Sequence, residues 1–95
     1  MESKVYNFSN KYIDHMGYML YLPDGYSTEK KYPLLVCLHG AGERGDDVSL
    51  VCIHGVAKYI ARGKKLDAIV IAPQCPKNLV WNKLTFELRE LIDHI

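Results

Sequence analysis

The chain has 95 residues, of which 48% are hydrophobic and 24% charged, with a formal charge of +1. That length allows one domain at most, and a chain so short buries only roughly 60 to 65% of the surface its unfolded form exposes. A balance of 12 basic against 11 acidic residues offers no electrostatic footprint for nucleic acid or an anionic membrane, and Lys30-Lys31 and Lys64-Lys65 read as solvated loop pairs.

The first residues, MESKVYNFSNKYIDH, lack the apolar run of a secretory leader. No stretch reaches the ~18 apolar residues of a membrane span. Cys37, Cys52 and Cys75 are odd in number and have no C-x-x-C spacing, which argues against a disulfide framework or a zinc knuckle. Each reads as a small buried hydrophobe, and the expected compartment is the cytoplasm.

Aromatic and apolar residues bounded by turn-prone stretches predict strands over 4–8 (KVYNF) and 18–23 (YMLYLP), an antiparallel pair at the N-terminus. PLLVCLH (33–39) is apolar at almost every position, the pattern of a strand covered on both faces, and DAIVIAP (67–73) repeats it. Between them Val48, Cys52, Val56 with Ala57, and Tyr59 with Ile60 recur at helical spacing, and ARGKK suits a helix C-terminus. Strand, helix, strand is the βαβ unit of a parallel sheet. A second amphipathic helix is marked by Leu84, Leu88, Leu91 with Ile92, and Ile95, with the pairs Lys83–Glu87 and Arg89–Asp93 on its outer face. No stop signal follows Ile95, so the chain is expected to be part of a longer domain.

LLVCLHGAGERGDD (34–47) carries Gly40, Gly42 and Gly45 in G-x-G-x-x-G spacing. A dinucleotide site needs such a loop between a strand and a helix, and an acidic residue about 20 positions on, at the end of the next strand, to hold the ribose. Asp67 instead opens the next strand, and the chain has Ala72, Pro73 and Gln74 at its end. Glu43, Asp46 and Asp47 outnumber Arg44 beside the loop, so the local charge opposes a pyrophosphate. The other chemistry served by His-Gly-small-Gly after a strand is an oxyanion hole, where small residues let backbone N–H groups approach a tetrahedral intermediate.

LPDGYSTEKKYPLLVCLHGAGERGDD, followed by IVIAPQCP and Trp81, resembles the α/β-hydrolases of the carboxylesterase, phospholipase and dienelactone-hydrolase group, which includes predicted peptidases. The resemblance runs from about Tyr18 to Ile95. It implies a partial α/β-hydrolase fold: a mostly parallel sheet with an N-terminal antiparallel strand pair and flanking helices, truncated before the nucleophile elbow. It implies that Gly40, Ala41 and Gly42 form the oxyanion loop, with the Ala41 N–H as donor. His39 would support the loop rather than act as a base, and Pro73, Gln74 and Trp81 would border the cleft. An intact enzyme of this kind hydrolyses small ester-type substrates without a cofactor or metal.

In this family the nucleophile sits in a later G-x-S-x-G elbow, followed by the acid and the histidine. The sequence contains no such elbow. Ser3, Ser9, Ser27 and Ser49 lack flanking glycines in that pattern, and the spacing of His15, His39, His54 and His94 brings none of them to a serine. No H-x-x-x-H or H-x-x-E-H pair suggests a metal. The chain is therefore expected to be inactive alone. Without the neighbouring strand, PLLVCLH would become an open edge that invites self-association, so a non-catalytic binding or assembly module is the alternative reading. A dinucleotide module ranks behind both.

Overall fold

The computed structural model describes residues 1–10, 15–52, 55–77 and 79–94. Strands β1 (Glu2–Phe8) and β2 (Met16–Leu22) come first, then β3 (Leu34–Val36), helix α1 (Gly55–Ala61), β4 (Ile69–Pro73) and helix α2 (Thr85–His94). Short 3-10 turns at Ala41–Glu43, Val48–Cys52 and Trp81–Lys83 fill the connections.

The sheet has the order β1-β2-β4-β3. β1 and β2 pair antiparallel with Glu2 opposite Leu22 and Phe8 opposite Met16, and β2 pairs antiparallel with β4. Only β3 and β4 run parallel, with Leu35 opposite Val70. The expected mostly parallel sheet is thus corrected to a mostly antiparallel one containing one parallel pair. The cause lies in the connections. A parallel pair needs a crossover of a dozen or more residues, usually helical, and among the described residues only the β3-to-β4 connection contains a helix.

Alternation along the central strands builds three layers. Tyr18 and Ile71 face Phe8, Met16, Leu84 and Leu91, so α2 covers that side. Tyr21, Val70 and Ala72 face Val48, Val51, Ala57 and Ile60 on the other. Ile71 and Leu91 are fully buried, each contributing about 1.5–3 kcal/mol of hydrophobic stabilisation. Tyr6 stacks on Tyr18 across β1 and β2 at 5.6 Å between ring centroids. The N-terminal amine and Lys65 Nζ both meet the Asp24 carboxylate, at 3.3 and 3.0 Å, and Lys65 first of all holds that carboxyl below its ordinary range.

The helix expected from Val48 onward is broken into the 3-10 turn and α1. Gly55, at φ +68°, takes a left-handed conformation that cannot continue an α-helix from the turn before it. Tyr59, expected on the apolar face, is exposed, whereas Val51 is buried. In α2, Glu87 is buried between Leu84 and Leu91 in sequence rather than displayed on the outer face, and its Oε2 has no hydrogen-bond partner. The expected Lys83–Glu87 surface pair is corrected accordingly: positions 84, 87 and 91 share one helical stripe. Ile95 lies outside the described residues.

β3 ends at Val36, short of the expected residue 39, although Cys37 N still donates to Ile71 O at 2.9 Å. Beyond it Leu38 is 49% exposed, as the chain turns away over the end of β4. β3 is an edge strand, as the sequence led us to expect.

Gly17 in β2 makes room for the 3-10 turn above it, since a Cβ there would overlap Val48 Cγ2. Gly17→Ala is expected to lower the unfolding free energy by ~1–3 kcal/mol through overpacking. Gly42→Ala, whose methyl meets open space, should stay within about 0.5 kcal/mol of the parent. Urea denaturation compares the two, and equal losses would refute this packing role.

Candidate functional site

The segment after β3 crosses the carboxyl end of β4 and is fastened there. Cys75 N donates to His39 Nε2 at 2.8 Å. A backbone N–H can only donate, so Nε2 is the acceptor and the ring proton sits on Nδ1, which donates to the Gly40 carbonyl. Trp81 Nε1 donates to the His39 carbonyl at 3.0 Å, and its ring lies 5.0 Å from the imidazole. Both nitrogens of His39 are thus engaged by backbone. A general base needs a free ring nitrogen aimed at the proton it removes, and His39 offers none.

From Gly40 the chain enters the single 3-10 turn Ala41–Glu43, where Glu43 N approaches Gly40 O at 3.4 Å. Arg44 Nη1 donates to Leu79 O, and Gly45 N to Cys75 O, both at 3.0 Å. Gly45 has φ +141°, which a residue with a Cβ adopts only under strain. Asp47 Oδ1 then accepts Ser49 N and Ser49 Oγ, capping the turn that begins at Val48.

A cavity of about 210 Å³ lies against this loop, lined by His39, Gly40, Arg44, Cys75, Val80 and Trp81. Trp81 stands on its wall, whereas Pro73 and Gln74 are fully buried, behind the cleft the resemblance had them border. A second cavity, of about 360 Å³, opens on the other side of the loop, between β3 and α1, where Leu35, Cys37, Val51 and Val56 meet Glu43.

The remaining candidate residues are not gathered here. Among the described residues no serine bonds a histidine. Ser3 and Ser9 are exposed, Ser27 Oγ accepts the Glu29 N–H, and Ser49 is held by Asp47. His15 is exposed just before β2, His94 belongs to the last turn of α2, and His54 lies outside the described residues. The G-x-G-x-x-G spacing leads into 3-10 turns, and the first described α-helix begins at Gly55. Asp67 stands at the opposite end of β4 from this loop, in a cleft with Asp24 and Lys65. Among the described residues no three of His, Cys, Asp and Glu cluster as metal ligands, and no helix is long and apolar enough to cross a membrane.

Sequence reasoning missed what Gln74, Cys75 and Arg44 do. The signal for Gln74 was a polar residue directly after the apolar run IVIAP, where exposure or an internal hydrogen-bonding task were the alternatives. Cys75 and Arg44 act through a backbone group and a distant carbonyl, for which sequence carries no signal.

Burial pushes the thiols of Cys37 and Cys75 above their ordinary range, with Arg44 partly opposing the effect at Cys75. The neutral thiol is favoured in the folded chain. Whatever stability the two thiols contribute is therefore present below the ordinary thiol range and lost as pH rises through the raised values. Because the thiolate is the reactive form, both cysteines are expected to alkylate more slowly in the folded chain than in urea at pH ~8. Their rate profiles should also rise at higher pH. Iodoacetamide labelling read by peptide mass spectrometry checks this, and equal folded and unfolded rates would contradict it.

No protein-family model and no curated protein matches this chain. Solved structures do. A thermostable esterase is 26% identical, with a TM-score of 0.66 over 97% of this chain. A ferulic acid esterase is 28% identical over 82% of this chain, at a TM-score of 0.45. The chain spans 30% of the first protein and 33% of the second. The likeness to the thermostable esterase and the mixed sheet with few helices are compatible with part of an α/β-hydrolase-type fold.

Proposed function

We propose that this chain is the N-terminal portion of a cytoplasmic serine hydrolase acting on carboxylic esters, thioesters or peptide-like acyl compounds, and that its 40–42 loop is one half of the oxyanion hole. The observation that carries the reading is the mounting of that loop. His39 is clamped between Cys75 N–H and the Gly40 carbonyl, which pre-sets the backbone beside a cavity bounded by Gly40 and Trp81. Preorganised N–H donors are what a developing oxyanion requires. The likeness to a thermostable esterase over 97% of the chain supports the esterase-like hydrolase part of this reading. Three free cysteines fit a reducing compartment.

In the proposed reaction a serine supplied by the rest of the enzyme attacks the acyl carbon. The carbonyl oxygen takes up negative charge and accepts the Ala41 N–H. Collapse of the intermediate expels the alcohol, thiol or amine, and water releases the acid from the acyl-enzyme. One such donor is typically worth ~2.7–4 kcal/mol of transition-state stabilisation. The 95 residues hold no nucleophile elbow, so the chain alone is expected to leave p-nitrophenyl acetate unhydrolysed. In a protein that joins this segment to a G-x-S-x-G-bearing remainder, Ala41→Pro removes the donor and should lower kcat by about 10²- to 10³-fold. An unchanged kcat would defeat the oxyanion assignment.

A second reading is favoured by a specific observation, the open edge of β3. Leu34 and Leu35 are 38% and 39% exposed there, and Leu35 also lines the 360 Å³ cavity. Apolar side chains beside unpaired backbone groups are a template for pairing with another chain. Under this reading the chain is an assembly module whose copies associate through β3. Sedimentation should then show association that rises with concentration and is abolished by Leu35→Lys. A monodisperse monomer at all concentrations excludes it.

A further inference from the structure

We propose that Gln74 is the positioning residue of the 40–47 loop: its carboxamide holds the loop from within, and with it the Gly40–Gly42 backbone. The loop's use as an oxyanion hole rests on the reading above, but its mounting on Gln74 does not.

Gln74 directly follows β4 and is only 1% exposed. Its own backbone N–H donates to Gly17 O at 2.8 Å, which ties the residue to β2. Its Nε2 donates to Glu43 O at 2.9 Å and to Asp47 O at 2.8 Å, one carbonyl at each end of the turn through Gly45. A primary amide carries two donors on one nitrogen, and both are used. A carboxylate in its place would set an acceptor against two carbonyls, and a thioether would withdraw a donor from each of them, leaving the Asp47 carbonyl to the Leu50 N–H. Gly45 belongs to the same arrangement. Its N–H bonds Cys75 O, and a Cβ on it would stand 3.8 Å from Gln74 Nε2. Cys75 N in turn fixes His39. Adjacent residues at the end of β4 therefore grip the loop at both ends, Cys75 at His39 and Gln74 at Glu43 and Asp47. Gln74 Oε1 has no hydrogen-bond partner, so the residue is held there by its donors.

The test is amide hydrogen exchange by NMR on the full 95-residue chain. Gln74→Met keeps the side-chain length without the donors. We expect exchange about 10- to 100-fold faster within residues 40–47, while the amides of 18–21 and 70–72 keep their protection. Uniform loss over all these amides would make Gln74 an ordinary core residue, and unchanged exchange would give it no role; either result overturns the proposal. If Gln74→Met does not fold, the parent chain decides. Gln74 is the only glutamine in the sequence, so selective glutamine labelling separates its carboxamide signal from those of the asparagines. Slow exchange of both its protons, with couplings across the hydrogen bonds to the Glu43 and Asp47 carbonyls, supports the proposal, and fast exchange overturns it. Loss of the oxyanion reading through an unchanged kcat of Ala41→Pro would leave this measurement standing, so the two failures are distinguishable.

Discussion

A single hydrogen bond, from Cys75 N–H to His39 Nε2, decides the geometry of everything at the carboxyl end of the sheet. It assigns the tautomer of the imidazole, turns Nδ1 back onto Gly40, and joins the segment leaving an edge strand to the best-buried strand in the molecule. The bond links two groups that would otherwise each lose water without a partner, which makes leaving it unmade more costly than its net strength suggests. Trp81, Gly45 and Arg44 then attach to the same seam through the carbonyls of His39, Cys75 and Leu79.

The seam is anchored on β4. β4 has a neighbour on each side, β2 and β3, and both of its faces are covered, by α2 on one and by α1 with the Val48–Cys52 turn on the other. A group fixed to the end of such a strand inherits its position. β1 and β3, by contrast, lie at the edges of the sheet, and every β1 residue before Phe8 is exposed. The candidate site is therefore mounted on the strand that is enclosed on every side.

Apolar runs are legible because burial on both faces removes alternation, and IVIAP and PLLV announced β4 and β3 in that way. Strand direction was less legible. Whether β2 lies parallel or antiparallel to β4 depends on how the chain returns between them, and residues 23–33 show only turn-forming composition. The helical periodicity after Val48 reads as continuous, since a glycine inside such a pattern is tolerated in general, whereas Gly55 here adopts a positive φ. Charge alone puts Glu87 outside, whereas Leu84 and Leu91 on the same stripe carry it inward. Around the loop, HGAG exposed the glycine-rich backbone and its chemistry, but not its fastening. That fastening runs through main-chain atoms of Cys75 and Leu79 and the amide of Gln74, and backbone donors look alike in every sequence.

The strand order β1-β2-β4-β3 also governs how the chain can fold. β2 and β3 are successive in sequence yet never touch as strands, because β4 lies between them. β1 and β2 can close early across a short connection, at small entropic cost. β3 finds its ladder only on residues 69–73, which are made after it. Until that pairing forms, the leucines of β3 and the loop that follows have no strand to be fastened to. Ordering of the His39 loop therefore depends on the arrival of one central strand.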